Sequence, residues 1–220
     1  MRKIIAAIAG LIAIPAAALA ADKGAPPVVA QGAGETLVLP FQGLYIGGAI
    51  GAADGQIRDS DGFKMPRDGL TASGLLGYNH RVGTMPGIVI GVEGDIGLTD
   101  ISGSNSADGF TIKGSTKYLG SVRGRIGKAM GDSMVYATAG IAMTDGRIAV
   151  DDVGSASKNR INGFVYGAGF ESFILGNMGV RLEALRYDWR PEGLTSDVIE
   201  TGKLKSHDTH VRAALIFRLN

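Results

Sequence analysis

The sequence contains no cysteine, few prolines and few aromatic residues. Without cysteine, disulfides, metal thiolates and thiol nucleophiles are all excluded. A transmembrane helix needs roughly 20 consecutive apolar residues, and no segment after the first residues is uniformly apolar over that length, so a helical membrane protein is disfavoured. The 35 glycines are spread through the chain without a collagen repeat. With 45% hydrophobic residues, the chain is too apolar to be disordered.

The first 40 residues differ from the rest. Two basic residues precede an apolar run over residues 4–14, and Ala18-Leu19-Ala20 follows. This order predicts a secretory signal peptide over residues 1–20. Residues 21–40 show neither a helical nor a strand period, so they predict a periplasmic lead-in or linker. Cleavage after residue 20 removes two positive charges and lowers the formal net charge from +1 to −1, which leaves no electrostatic argument for binding nucleic acid.

From Phe41 onward the hydrophobic pattern has a period of two. In one segment Ile90 and Val92 share one parity, while Glu93 and Asp95 occupy the other, so the two sets lie on opposite faces of a strand. A membrane-spanning strand needs about 9–11 residues. Eight segments reach this length, near residues 43–52, 70–81, 87–98, 117–127, 134–143, 163–174, 179–189 and 207–219. We predict an all-β fold, an eight-stranded antiparallel up-and-down transmembrane β-barrel over residues 41–220.

The connections between these segments alternate between long and short. The short turns lie near residues 82–86, 128–133 and 175–178. The long, polar connections lie near residues 53–69, 99–116, 144–162 and 190–206. Bacterial barrels place short turns in the periplasm and long loops outside the cell. The pattern therefore predicts the cell outer membrane as location, with four loops displayed outside.

Aromatic residues lie near the ends of the predicted strands, where interfacial girdles are expected. Those near the periplasmic ends are Phe41, Tyr45, Tyr78, Tyr136, Phe173 and Phe217. Those near the outer ends are Tyr118, Phe164, Tyr166, Tyr187 and Trp189. We predict that they form two girdles, although aromatic residues also favour strands in general.

The strand positions that alternate with the apolar ones carry four acidic residues and four arginines. They are Glu93, Asp95, Glu171, Glu183, Arg123, Arg125, Arg181 and Arg212. Arginine pairs with carboxylates in a bidentate geometry, and the interior of an eight-stranded barrel is just wide enough for side chains to fill. We predict a lumen filled by paired charges and without a wide pore. The alternative is a narrow lumen that conducts ions, as in a small porin.

Several short motifs follow one another in a characteristic order. They are Gly43-Leu44-Tyr45-Ile46-Gly47-Gly48, Gly77-Tyr78-Asn79, Gly91-Val92-Glu93-Gly94-Asp95, Val122-Arg123-Gly124-Arg125, Tyr136-Ala137-Thr138-Ala139-Gly140, Gly167-Ala168-Gly169-Phe170-Glu171 and Arg181-Leu182-Glu183. In this order, over residues 41–219, they resemble the small outer-membrane β-barrels of alphaproteobacterial surface antigens and porin-like proteins, similar in architecture to OmpA- and OmpX-type barrels. The resemblance implies a surface-exposed structural or porin-like protein, with haem binding or host contact as further roles.

The end of the chain departs from the resembled family, which usually finishes on an aromatic residue that the barrel-assembly machinery reads. Here Leu219 takes that position, and Phe217 lies two residues earlier on the same face. We predict that Phe217 and Leu219 together form the assembly signal.

A cluster of Ser206, His207, Asp208 and His210 invites a catalytic, metal-binding or haem-binding interpretation. His207 and Asp208 would point to opposite faces of a strand, which disfavours a catalytic triad. No P-loop, G-x-S-x-G or H-E-x-x-H motif occurs in the sequence. We predict no catalytic residue, cofactor or metal, and interpret the cluster as exposed polar residues at the outer end of a strand.

The leading hypothesis is a non-enzymatic barrel that stabilises the outer membrane and displays its loops. Its expected partners are outer-membrane lipids, lipopolysaccharide and the barrel-assembly machinery, with a host molecule or haem as a ligand of the outer loops. The alternatives are a small porin, a surface adhesin or haem-binding protein, and a lipid-modifying enzyme. Surface loops vary without changing the scaffold, so the sequence does not choose a loop ligand.

Overall fold

A computed structural model describes residues 40–58, 64–107, 110–150, 156–190 and 205–219. Side chains are described over residues 40–56, 66–101, 116–145, 161–189 and 206–219. The chain divides into two units, Met1–Leu39 and Pro40–Asn220, and only the second contains described residues. The predicted signal peptide and nearly all of the predicted lead-in therefore lie outside the described residues and stay predictions.

The described residues form one closed antiparallel barrel. Every strand pairs with the next, and β1 pairs with β8, so the barrel has no open edge. The predicted eight-stranded up-and-down barrel is confirmed. The strands are β1 Gly43–Arg58, β2 Lys64–Arg81, β3 Ile88–Ala107, β4 Phe110–Met130, β5 Ser133–Val150, β6 Ala156–Leu175, β7 Met178–Arg190 and β8 Lys205–Arg218.

Three short turns at one end of the barrel connect β2 to β3, β4 to β5 and β6 to β7. This is the end that the sequence assigns to the periplasm, and it is called the periplasmic end below. The opposite end is called the outer end. Among the described residues, no helix is long and apolar enough to cross a membrane.

The register around the barrel fixes the tilt of its strands. Starting at Tyr45 and following directly paired residues, the path reaches Gly140 on β5 and returns to β1 at Gly55, ten residues further along. A stagger of this kind requires strands that tilt by about 35–45° from the barrel axis. An eight-stranded barrel of this type is narrow, so inward-facing side chains from different strands meet in its interior.

The two faces of the sheet have opposite chemistry. Side chains such as Ile96, Leu98 and Ile50 point outward and are more than 60% exposed, whereas Glu93 and Arg123 are almost fully buried. Alternation with a period of two produces this separation along every strand. The outward surface is therefore apolar, as a surface in contact with hydrocarbon requires.

The predicted long connections are shorter in the structure, because the strands continue into them. β1 extends to Arg58, and β3 and β4 remain paired up to Ala107 and Phe110. The strands contain 13 to 21 residues, more than the roughly 9–11 that cross a membrane. Polar, glycine-rich sequence suggested loops, but the hydrogen bonds of an antiparallel ladder come from the backbone and tolerate polar side chains.

The prediction of two aromatic girdles is wrong for five residues. Five of the aromatic side chains face the barrel interior and are at most 7% exposed: Phe41, Tyr45, Tyr136, Tyr187 and Trp189. The alternation of side chains explains this: Tyr187 and Trp189 lie four and six residues beyond Glu183 in β7, and even spacings put residues on the same face of a strand. Tyr78, Tyr118, Phe164, Tyr166 and Phe217 do face outward, and Phe173 is half-buried against the Phe41 ring.

Candidate functional site

Four directly paired residues cross the interior of β1 to β4: Tyr45, Gly77, Glu93 and Arg123. This set is called the first row. The Tyr45 ring lies over Gly77, where an added Cβ would collide with the ring. The Tyr45 hydroxyl donates a hydrogen bond to Glu93 Oε2 at 2.7 Å, and Arg123 forms an ion pair with Glu93 Oε1. Glycine thus makes room for a ring that reaches the carboxylate two strands away.

The same arrangement recurs across β5 to β8 in Tyr136, Gly169, Glu183 and Arg212, which are again directly paired. This set is called the second row. The Tyr136 ring covers Gly169, and its hydroxyl donates to Glu183 Oε1 at 2.8 Å. Arg212 Nε donates to Glu183 Oε2 at 2.7 Å. The barrel interior is therefore built twice from one pattern of tyrosine, glycine, glutamate and arginine.

Each row ends on a glycine of the following strand. Arg123 is paired with Gly140 on β5, and Arg212 is paired with Gly51 on β1. A Cβ at Gly140 would lie 2.7 Å from Arg123 Cα, and one at Gly51 would lie 2.9 Å from Arg212 Cα. Real Cβ atoms do not approach other atoms so closely, so these positions require glycine for packing.

Two further arginines join the rows across the lumen. Arg181 Nη1 on β7 lies 2.5 Å from Glu93 Oε2 on β3, and these strands are opposite each other in the barrel. Arg181 also contacts Glu171 Oε2 at 2.7 Å, and Arg125 contacts the same oxygen at 3.1 Å. Arg125 in addition donates to the Tyr45 hydroxyl at 3.0 Å. The contacts therefore span the barrel from wall to wall.

Glu93 is the centre of this network. All four arginines form ion pairs with it, the longest at 3.9 Å. Asp95 adds a second acceptor, at 2.9 Å from Arg123 and 3.2 Å from Arg212, and Ser121 donates to it at 2.9 Å. The structure thus brings together all eight charged residues singled out from the sequence, every one of them buried. Burial of charge is tolerable here because each charge has hydrogen-bonded partners of opposite sign.

Buried apolar side chains pack on both sides of the charges. At the periplasmic end, Phe41, Val89, Ala129, Met134 and Tyr136 form one buried cluster. Phe41, just before β1, has a left-handed backbone conformation with φ of 60°. The backbone carbonyl of the preceding residue, Pro40, accepts a hydrogen bond from Arg81 at 3.0 Å. Towards the outer end, the second cluster contains Leu119, Ala142, Val165, Leu185, Tyr187 and Trp189. The charged residues therefore lie between these two apolar clusters.

The interpretation of the β8 cluster as exposed polar residues is wrong for Asp208 and His210, which are buried and face the lumen. Asp208 accepts hydrogen bonds from Trp189 Nε1 at 2.6 Å and from Arg67 at 2.7 Å. The His210 ring lies 4.5 Å from the Tyr187 ring, measured between centroids. Both residues share the parity of the inward-facing Arg212, a signal that was available in the sequence.

Ser206, His207 and Asp208 do not form a catalytic triad in the structure. Ser206 Oγ accepts a hydrogen bond from Arg67 at 3.2 Å, and the His207 ring contacts the Gln56 side chain at 3.2 Å. Within the part of the chain that the structure describes, no group of three His, Cys, Asp or Glu side chains could hold a metal ion.

Sequence reasoning missed the two tyrosines of the rows as partners of the charges. Both tyrosines lie near strand ends, and that position alone predicts a place in a girdle. The signal that could have identified them is the glycine at the paired position on the next strand, Gly77 and Gly169, which leaves space for an inward-facing ring.

Phe217 and Leu219, the predicted assembly signal, lie at the end of β8 and face outward, 40% and 45% exposed. The Leu219 amide donates to the Leu44 carbonyl at 2.8 Å, next to the seam where β8 meets β1. Both side chains are thus accessible from the hydrocarbon side of the barrel. Their role in assembly stays a prediction.

Comparison with known proteins gives the family. A family model described as outer membrane protein beta-barrel domain matches residues 4–217. A 22 kDa outer membrane protein of Rhizobium leguminosarum bv. viciae is 34% identical over 158 residues, which cover 71% of this chain and 68% of that protein. A 25 kDa outer-membrane immunogenic protein of Brucella abortus is 31% identical over 190 residues, which cover 83% and 82%.

Among solved structures, Neisserial surface protein A matches with a TM-score of 0.48 and 15% identity, over 81% of this chain and 98% of that one. The family match spans nearly the whole chain, and the two relatives are named as outer-membrane proteins. The resemblance and the location predicted from the sequence are confirmed. The chain belongs to the outer membrane protein β-barrel family and is a protein of the bacterial cell outer membrane.

Proposed function

We propose that this protein is a non-conducting, non-enzymatic barrel that stabilises the outer membrane and displays its outer end to the exterior. The observation that carries the proposal is the ion pair between Arg181 and Glu93, at 2.5 Å, which joins opposite walls of the barrel. An ion passing along the axis would have to displace this pair and its neighbours. Removing one partner from a buried ion pair costs about 3–5 kcal/mol, so such displacement is rare.

Single-channel recording in planar bilayers tests the sealed lumen. We expect no large, steady conductance from the wild-type protein after folding has been verified by gel migration with and without boiling. The matched variant carries Glu93→Ser together with Arg181→Ser, which removes the crossing pair without changing net charge, and should conduct measurably. A steady conductance of the wild-type protein would reject the sealed barrel in favour of the small porin.

Strand length supports the display role. β3 and β4 contain 20 and 21 residues, about twice the length that crosses a membrane, so the hairpin they form extends beyond the outer surface. The Brucella relative is named an immunogenic protein, which fits surface exposure in that protein. An epitope tag inserted between Ala107 and Phe110 should be labelled on intact cells. A tag at Gly131 in a periplasmic turn should be labelled only after permeabilisation, and the reverse result would invert the orientation.

The proposed partners follow from this placement. They are outer-membrane lipids and lipopolysaccharide around the barrel, the barrel-assembly machinery at Phe217 and Leu219, and a host molecule or haem at the outer loops. Replacement of Phe217 by Ala should slow assembly in cells, whereas replacement of the outward-facing Phe164, which lies away from the β8 end, should not. Equal effects of both replacements, measured as the fraction of heat-modifiable protein, would argue against an assembly signal.

A further inference from the structure

A shallow groove of about 320 Å³ lies on the outward surface near the periplasmic end of β3 to β5. It is lined by Ile88, Ile126, Gly127, Lys128, Val135, Tyr136 and Ala137. The groove has space at its centre because Ala137, the outward-facing residue paired with Ile126, has only a small side chain. Its walls are almost entirely apolar, and Lys128 is the one charged residue among those that line it.

Lys128 lies at the periplasmic edge of the groove. Its ammonium donates a hydrogen bond to the Pro86 carbonyl at 2.7 Å, in the turn between β2 and β3. That contact holds the charge at the level of a periplasmic turn, where the hydrocarbon ends and the headgroups begin. An ammonium has three N–H donors, so after the bond to Pro86 two donors are available to an anion.

We propose that this groove binds an acyl chain of an anionic phospholipid, with the lipid phosphate bound to Lys128. The chain belongs to the outer membrane, so its apolar outward surface faces lipid. The groove is about 320 Å³ in volume and lined by apolar side chains, which suits a segment of one acyl chain. The positive charge at its polar end selects a negatively charged headgroup.

The position of the groove selects phospholipid over lipopolysaccharide. Lipopolysaccharide occupies the outer leaflet, whereas Lys128 lies beside the periplasmic turns. Lys117 lies on the same strand, eleven residues closer to its outer end, and is exposed. This second lysine provides a matched control, because it has the same charge on the same strand but lies outside the groove.

The test measures lipid retention by native mass spectrometry of the detergent-folded full chain. We expect wild-type protein titrated with phosphatidylglycerol to retain more lipid than protein titrated with phosphatidylcholine. Lys128→Gln should lower retention of phosphatidylglycerol about two- to five-fold, the range expected for loss of one exposed ion pair. Lys117→Gln should leave it unchanged. Equal retention by wild type and Lys128→Gln, or an equal loss in Lys117→Gln, would overturn the proposal.

A second pair of variants tests the apolar part of the site. Ala137→Phe fills the groove and should reduce retention of both lipids. Ala168→Phe places the same ring on the paired position of β6, which also faces outward but does not line the groove. It should leave retention unchanged. If the two substitutions act alike, the lipid is held by the barrel surface in general and the proposed site is wrong. Gel migration before and after boiling verifies that every variant is folded.

Discussion

The two halves of the barrel, β1 to β4 and β5 to β8, contain the same row of residues but fill the remaining space differently. In the first half, Gly91 is paired with Arg125. In the second half, the pair at the same place relative to the row is Arg181 and Ala214. The arginine is therefore on the strand that carries the glutamate, and not on the strand that follows it. The lumen is therefore filled by complementary volumes, a large side chain opposite a small one, and not by copies of one residue.

A second difference concerns the two glutamates of the rows. Glu93 forms ion pairs with four arginines, whereas Glu183 forms them with Arg123 at 3.2 Å and Arg212 at 2.7 Å. The extra partners of Glu93 are Arg125 and Arg181, the two arginines whose strands differ between the halves. A small exchange of positions thus turns one of two equivalent carboxylates into the centre of the network.

The largest expected effect separates these two glutamates. Glu93→Ala should lower the free energy of unfolding by about 3–5 kcal/mol, because it leaves buried arginines without their shared partner. Glu183→Ala should cost less, since fewer arginines depend on it. Urea unfolding in lipid vesicles measures both, with the single tryptophan, Trp189, as a fluorescent reporter. An equal or larger loss in Glu183→Ala would remove Glu93 from the centre of the network.

The two tyrosine hydroxyls give the next effect. Tyr45→Phe should cost about 1.5–3 kcal/mol, the usual contribution of a hydrogen bond to a charged group. The Tyr45 hydroxyl bridges Glu93 and Arg125, while the Tyr136 hydroxyl donates to Glu183. Tyr136→Phe should therefore be the milder of the two substitutions. The same unfolding experiment ranks them, and the reverse order would show that the second contact of Tyr45 contributes nothing.

The glycines beneath the tyrosines test whether the rows are equivalent. Gly77→Ala and Gly169→Ala each place a Cβ against a tyrosine ring, so each should cost about 1–3 kcal/mol as overpacking. Gly74→Ala is the control on β2, because a Cβ there meets no described atom within 4 Å. It should leave stability unchanged or raise it by about 0.4–1 kcal/mol. Unequal costs at Gly77 and Gly169 would mean that the two rows are not equivalent in energy.

The sequence predicts the barrel and the faces of its strands because a period of two is a local property. Glu93 and Arg123 match in parity across one hairpin, and the register pairs them directly. The contact between Arg181 and Glu93 could not be derived in this way, since it depends on the ten-residue stagger accumulated around the whole barrel. Tyr45 was ambiguous for another reason: an aromatic residue near a strand end fits either a girdle or the lumen until its paired residue is known.

The smallest expected effect lies on the outside of the barrel, where the halves also differ. Asp188 on β7 is 3.5 Å from Arg186, and both side chains are more than 40% exposed. The position on β3 equivalent to Asp188, five residues beyond the glutamate of its row, is Leu98. Asp188→Leu makes the two halves alike there and should change the free energy of unfolding by about 0–1 kcal/mol, because solvent screens an exposed pair and leaves it little net energy. A loss as large as that of Tyr45→Phe would show that charges outside the lumen also hold the barrel together.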